Sequence, residues 1–392
     1  MSIQPRILSA LRPQFRYARV ALPSRSRPMS LLPQAAKAGF SSSVLHRKDQ
    51  PKAAHPSKHE SRPLRSGEPV AEHVKEDESK RAGLPEEPME GPPPLYSSAT
   101  SHHLDRGPIA PLAALSAHEL FFLKNRTILI TGGGRGLGLT IAHACLESGA
   151  SVRCMDLLPE PSQPQWKLAE DLARSKGLQI SYHQLDVTDQ DQVHQVFSDL
   201  FATNSQETPH QPIRGLFTSA GIQIMMSALD YSTEKFRKVI DVDLTGTFLC
   251  AQAFAKEWFK RHPDMDGRAG MEGASIAMTG SMSGHIANLG IECAAYNASK
   301  AGVNQLAKNL ALEWSKKGIR VNTLSPGYIR TALTAAQLEE KPELNKIWLQ
   351  GSLLGRLSTP DEFRGPVLYL LSDASSFMTG SDLLVDGGHC AT

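Results

Sequence analysis

Thr127-Ile128-Leu129-Ile130-Thr131-Gly132-Gly133-Gly134-Arg135-Gly136-Leu137-Gly138 is the stretch that decides the fold of this chain. An apolar, partly β-branched run makes a short strand, and glycines then permit a turn that other residues resist. A helix follows and ends near Gly149. A glycine-rich run alone is weak evidence, because turns are glycine-rich in general. Here the strand precedes it, the helix follows it, and Asp156 stops a second strand twenty residues beyond Gly136. In that arrangement the backbone can approach a pyrophosphate at the helix N-terminus, and the acid can reach an adenosine ribose. Thr131, Gly132, Arg135, Gly136, Leu137, Gly138 and Asp156 are therefore expected to hold a dinucleotide.

The same texture continues outward. Apolar strands are predicted at 127–130, 152–155, 180–185, 215–218, 274–278, 321–324 and 383–385, separated by helical stretches. Short apolar strands alternating with helices predict an α/β fold, a doubly wound parallel sheet of Rossmann type covered on both faces. It fills one catalytic domain over 119–392, and no internal repeat is evident.

The N-terminal side reads differently. The first 48 residues carry nine Arg or Lys and no acid, with Ser-rich patches and a Gly39-Phe40-Ser41 run. They are read as a mitochondrial transit peptide that delivers the chain to the matrix and is removed near residue 40. Residues 49–118, with their prolines, mixed charge and few large apolar side chains, are read as a disordered linker. The rest of the chain carries 33 basic and 40 acidic groups, which argues against a nucleic-acid partner. No apolar run is long enough to span a membrane. Cys145, Cys154, Cys250, Cys293 and Cys390 are widely spaced and contain no CxxC pair, so neither a disulfide framework nor a metal site is expected.

The TGxxxGxG spacing resembles that of the short-chain dehydrogenase/reductase family, and further motifs follow in that family's order. Asp186-Val187 resembles its adenine contact. Ser219-Ala220-Gly221 resembles its Asn-Ala-Gly turn, with Ser in place of Asn. Tyr296-Asn297-Ala298-Ser299-Lys300 matches its active-site helix, with Ser283 thirteen residues upstream. Pro326-Gly327, Ile329 and Thr331 match the turn that holds the nicotinamide amide. The resemblance implies an NAD(P)-dependent oxidoreductase acting on CH–OH groups, with Ser283, Tyr296 and Lys300 catalytic and a homotetrameric assembly. Tyr296 and Lys300 also face the cofactor.

A Tyr-x-x-x-Lys spacing means little alone, and it occurs a second time at Tyr231 and Lys235. Tyr296 is preferred because it follows an apolar strand and a Ser-rich loop and opens a helix leading to Pro326-Gly327. A free phenol has a pKa near about 10, so a tyrosine base needs a nearby cation, and Lys300 lies one helical turn on. Ser283 would hydrogen-bond the substrate oxygen as charge shifts onto it. Where the family usually has Asn, within Asp241-Val242-Asp243-Leu244-Thr245-Gly246, this chain has Asp243. An acid there is read as still competent, able to hold a water or carry the proton.

The segments 280–288 and 324–329 resemble fungal polyol/ketose enzymes of the family, such as D-arabinitol 2-dehydrogenase. They imply a polyol/ketose substrate, with D-arabinitol to D-ribulose foremost and mannitol, L-xylulose or sorbose couples as alternatives. His285, Asn288, Glu292 and Asn297 flank the catalytic pair and are expected to face a hydroxylated ligand. The 332–356 stretch, with Leu333, Gln337, Glu339, Glu340, Lys341 and Trp348, is expected to close over it. Asp156 would repel a ribose 2′-phosphate while Arg135 would attract one; the repulsion is the more direct effect and favours NAD over NADP. No metal is required. A mitochondrial 3-oxoacyl-[acyl-carrier-protein] reductase and a non-catalytic cofactor-binding scaffold remain the other readings.

Overall fold

The computed structural model describes residues 116–265, 273–331, 334–335, 338–339 and 341–391. The transit-peptide reading of 1–48, and all of the 49–118 linker up to residue 115, lie outside the described residues. Seven strands form one sheet: β1 (Thr127–Thr131), β2 (Ser151–Asp156), β3 (Ile180–Gln184), β4 (Ile213–Thr218), β5 (Ala274–Thr279), β6 (Ile319–Pro326) and β7 (Asp382–Val385). Their order is β3-β2-β1-β4-β5-β6-β7, and every pairing is parallel. The expected doubly wound sheet is therefore present, and each expected strand overlaps an observed one.

Every residue of β1 is buried, and successive side chains enter different cores. Leu129 joins Leu216, Ile276 and Met278 on one face, beneath Phe197, Phe254, Trp258 and Val303. Those four come from α3 (Gln190–Glu207), α5 (Gly246–Arg261) and α6 (Ala294–Trp314). Ile128 and Ile130 join Phe217 and Ala277 on the other face, beneath Leu139, Ile141, Trp166 and Leu370. These belong to α1 (Gly136–Glu147), α2 (Gln165–Lys176) and α8 (Arg364–Leu371). A strand buried on both faces has no polar side, which is why these segments read as continuous apolar runs.

Two shorter helices, α4 (Thr233–Ile240) and α7 (Glu343–Gly351), lie in the connections that follow β4 and β6. The strand order reverses between β1 and β4, and the loops leaving these two strands part there. In open α/β sheets that crevice is where ligands bind.

Glycines make the β1–α1 turn possible. Gly132 has φ +67°, and a Cβ on it would fall 2.6 Å from Ala220 N. A Cβ on Gly138 would collide with the Gly132 carbonyl, so α1 packs directly on the turn it leaves. Gly136 has φ +53°, but a Cβ there would meet nothing within 4 Å. These glycines should therefore respond unequally to alanine. Gly138→Ala is expected to cost about 1–3 kcal/mol, as overpacking does. Gly136→Ala is expected to cost about 1 kcal/mol, from backbone strain alone. Urea unfolding of the two variants checks the order; equal midpoints would mean that the α1 contact is not as close as it stands here.

Candidate active site

The dinucleotide half of the site is mostly backbone. Gly133 N–H donates to Met155 O at 3.0 Å, and Ser219 N–H donates to Thr131 O at 3.0 Å, so the turn is tied to both neighbouring strand ends. Asp156 ends β2; its Oδ2 accepts from Gly134 N–H at 3.0 Å and its Oδ1 from Leu158 N–H at 3.2 Å. Arg135 is exposed and extended just ahead of α1. Beyond β3, Asp186 Oδ1 accepts from Thr188 N–H and Oγ1, at 2.9 and 2.7 Å. Val187 is buried against Gly246. After β6, Thr334 Oγ1 accepts from Thr331 N–H at 2.8 Å and donates to Ile329 O at 2.6 Å, which fixes the turn that begins at Pro326-Gly327. A dinucleotide fits this cradle, because the space that side chains would fill at Gly132 and Gly138 is left to the backbone and the N-terminus of α1.

A cavity of about 250 Å³ adjoins the cradle. Of the residues singled out from the sequence, Leu137, Ser219, Gly221, Ser283, Tyr296, Lys300, Pro326, Gly327, Ile329 and Thr331 line it. Tyr296 lies in the first turn of α6 and Lys300 one turn later, so both side chains leave the same face. Lys300 Nζ is 5.6 Å from the Tyr296 ring centroid and donates to Thr279 O, at the end of β5, at 3.0 Å. Its other neighbour is Asp243, whose Oδ2 is 3.8 Å away; the two side chains are 4% and 0% exposed.

Asp243 sits in a π turn, Asp241–Thr245, between α4 and α5. Such a turn carries one residue more than a regular one and is often found where a helix must aim a side chain. Asp243 Oδ1 accepts from Ile222 N–H at 2.8 Å, and Oδ2 from Ser299 Oγ at 3.2 Å. Burial pushes this carboxyl above its ordinary range, opposed by Lys300, the Ile222 amide and the Ser299 hydroxyl. Burial also raises the Tyr296 phenol; Lys300 pulls it down, Asp243 pushes it up and a hydrogen bond from Ser281 lowers it.

That last influence comes from a serine the sequence reading did not single out, having given the substrate oxygen to Ser283. Of the two serines, Ser281 and not Ser283 acts on the Tyr296 phenol, lowering it as a hydrogen-bond donor. The offset of thirteen residues runs through an irregular loop, where residue count does not fix side-chain direction. Ser283 N–H donates to Ser281 Oγ at 3.1 Å within a single 3-10 turn, Met282–Gly284, and both serines line the cavity. Tyr231 lies elsewhere: its hydroxyl donates to Ile224 O at 3.0 Å, and its ring meets Phe236 edge-on.

The polar residues expected to face the ligand are used otherwise. His285 Nε2 lies 2.7 Å from Asp382 Oδ2 and 3.0 Å from Asn304 Nδ2. Asn288 donates to the Tyr328 hydroxyl at 3.1 Å and accepts from Asn297 at 3.0 Å, while Glu292 is exposed. None of the four lines the cavity; Asn288 and Asn297 hold the loop together, and His285 ties it to Asp382 and Asn304. The wall is made instead by Gln223, Ser281, Ser283 and Tyr328 beside Ile222, Met282, Ile291 and Trp348. Trp348, on α7, stacks on Tyr328 at 4.1 Å and brings that helix over the cavity as expected. Leu333, Gln337 and Glu340 lie outside the described residues. Sequence reasoning passed over Gln223, Ile291 and Tyr328, and only Tyr328, next to Pro326-Gly327, carried a signal.

The cluster yields a pH prediction. The charged and titratable groups acting on Tyr296 are Lys300, Asp243 and Cys293. Removing the negative charge of Asp243 removes an influence that raises the phenol, so Asp243→Asn should move ionisation of Tyr296 to lower pH. Ultraviolet titration of tyrosinate, with Tyr296→Phe as the blank, reads this shift; a move to higher pH would contradict the arrangement.

Comparison with known proteins agrees with this geometry. A family model described as enoyl-(acyl carrier protein) reductase matches residues 132–390. A short-chain dehydrogenase/reductase, notP', of Aspergillus versicolor is 47% identical over 71% of this chain and 91% of its own length. An NADP-dependent mannitol dehydrogenase of Alternaria alternata is 34% identical over 72% of this chain and 99% of its own. An NADH-dependent L-xylulose reductase of Ambrosiozyma monospora is 36% identical over 68% and 96%. The crystal structure of gox2181 is 34% identical and superposes with a TM-score of 0.62 over 71% of this chain and 100% of that one. With its seven-stranded parallel sheet, its glycine cradle and these relatives, the chain belongs to the short-chain dehydrogenase/reductase family, oxidoreductases that act on alcohol groups.

Proposed function

We propose that this chain interconverts a secondary alcohol of a polyol and the corresponding ketose, with D-arabinitol and D-ribulose the first couple to test and NAD the favoured cofactor. The observation that carries the reading is that Tyr296, Ser281 and Lys300 line one cavity, with Lys300 Nζ 5.6 Å from the Tyr296 ring, beside the dinucleotide cradle. Oxidation of an alcohol needs a base for the hydroxyl proton, and reduction needs an acid for the carbonyl oxygen. The Tyr296 phenol serves both directions, and the Ser281 hydroxyl holds the same substrate oxygen. Ser283, the serine taken from the sequence offset, is then a neighbour on the wall and not the partner of the phenol. Lys300, anchored on Thr279 O and Asp243, keeps a cation near the phenolate. Bound nicotinamide would supply or accept the hydride.

The polyol class draws support from the mannitol and L-xylulose enzymes among the relatives. The apolar wall of Ile222, Met282, Ile291 and Trp348 favours a second reading, reduction of a less hydroxylated ketone or of a 3-oxoacyl thioester. Steady-state kinetics on arabinitol, mannitol, xylitol, their ketoses and an acetoacetyl thioester, with both cofactors, separates the two. We expect a kcat/KM preference for a polyol/ketose couple, lost by about 10²–10⁴ in Tyr296→Phe and kept in Tyr231→Phe. A clear preference for the thioester overturns the polyol reading; no turnover of any substrate favours a cofactor-binding scaffold.

The names of the relatives divide between NADP and NADH, so the cofactor argument rests on charge. Two backbone amides fix the Asp156 carboxylate at the ribose end of the cradle, where it would repel a 2′-phosphate. Asp156→Ala is expected to tighten NADP and weaken NAD, measured as separate dissociation constants. Equal responses of the two would remove Asp156 from the ribose.

A further inference from the structure

We propose that Ser283 recognises a second substrate oxygen, the one on the carbon adjacent to the reacting carbon, and so gives the enzyme a preference for α-hydroxy ketones and vicinal diols. The inference rests on the functional reading above, with Ser281 and Tyr296 at the reacting oxygen. Ser283 is 6% exposed, and what remains of its surface faces the cavity that it lines with Tyr296. Its backbone N–H is bonded to Ser281 Oγ, yet its own hydroxyl has no partner among the described residues.

Buried serines elsewhere in the fold do not behave this way. Ser275 donates to Leu370 O at 2.7 Å, Ser299 to Tyr296 O at 2.8 Å and Ser325 to Asp382 Oδ1 at 2.8 Å. Buried polar groups are nearly always paired, so a hydroxyl left open on a cavity wall is one that a ligand can satisfy.

The order of the two serines along the loop points to which ligand atom that is. Ser281 is extended, with φ −169° and ψ 154°, and the chain then enters the short turn that carries Ser283. Both residues reach the same wall, and the bond from Ser283 N–H to Ser281 Oγ keeps them together. That bond occupies a lone pair of Ser281 Oγ and leaves its proton for Tyr296 or the reacting oxygen. With Ser281 given to the reacting oxygen, Ser283, held beside it on the same wall, is assigned the oxygen on the neighbouring carbon. A site that offers a hydroxyl to such an oxygen discriminates against a ligand that lacks it, because the buried group is then left unpaired.

The test uses two ketones that differ by one adjacent hydroxyl, 3-hydroxy-2-butanone and 2-butanone, reduced by the full-length enzyme with its preferred reduced cofactor. The wild type should favour the hydroxyketone in kcat/KM. Ser283→Ala should lower the ratio of the two kcat/KM values about tenfold, the worth of one hydrogen bond, mainly through KM for the hydroxyketone. Ser283→Thr, which keeps the hydroxyl, should retain the ratio, a result that a merely structural role would not give. An unchanged ratio in Ser283→Ala overturns the inference. Loss of both activities together also overturns it, in favour of a role for Ser283 at the reacting oxygen or in the fold. A wild type that reduces both ketones equally well overturns this inference and leaves the functional reading intact. A wild type that reduces neither these ketones nor the ketose panel overturns both.

Discussion

A carboxylate with no exposed surface must be met on both of its oxygens or it shifts the whole region toward its neutral form. Meeting Asp243 draws three separated segments to one point. The loop after β4 brings the Ile222 amide, α6 brings the Ser299 hydroxyl and the Lys300 ammonium, and the π turn brings the acid itself. None of these groups can move far without leaving a buried charge unpaired, which is among the costlier defects a fold can carry. Lys300 is thereby held from two directions, by Asp243 and by the carbonyl at the end of β5. The tyrosine one turn before it inherits that placement from the helix. The acid that gathers these segments therefore also sets the electrostatics of the phenol, which it raises.

The two halves of the site are built on different principles. The dinucleotide half depends on backbone conformation and on what is missing at glycine positions, and it is tied to the ends of β1, β2, β4 and β6. The substrate half depends on side chains from loops, a short 3-10 turn and α7. A parallel sheet with both faces covered fixes the first half tightly, because every strand in its centre is locked between two cores. The second half hangs from that frame through local contacts such as the stack of Trp348 on Tyr328 and the pair of His285 with Asp382.

This division explains what could be read in advance. Central strands such as β1 and β5 were legible because burial on both faces leaves an unbroken apolar run, and the glycine turn was legible because its spacing follows from backbone geometry. Tyr296 and Lys300 were legible because helical pitch converts a spacing of four into a shared face. In the loop from 280 to 293 no such period operates. Ser281, which also reaches the cavity, was passed over there in favour of Ser283, and His285, Asn288, Glu292 and Asn297, expected to face the ligand, do not line the cavity. A polar residue in a loop serves the loop's own hydrogen bonds as readily as a ligand's, and only coordinates separate the two uses.

The contact of Gly138 with the Gly132 carbonyl has a consequence for how such a protein can diverge. Two positions that admit no side chain offer mutation nothing to vary, so descent leaves that half of the molecule nearly silent about ligand choice. New cofactor preferences then arise around it, at Asp156 and Arg135, and new substrates on the far wall, which Ile291, Gln223 and Tyr328 line. Lineages built on this turn can therefore keep one redox partner while exchanging the molecule it serves.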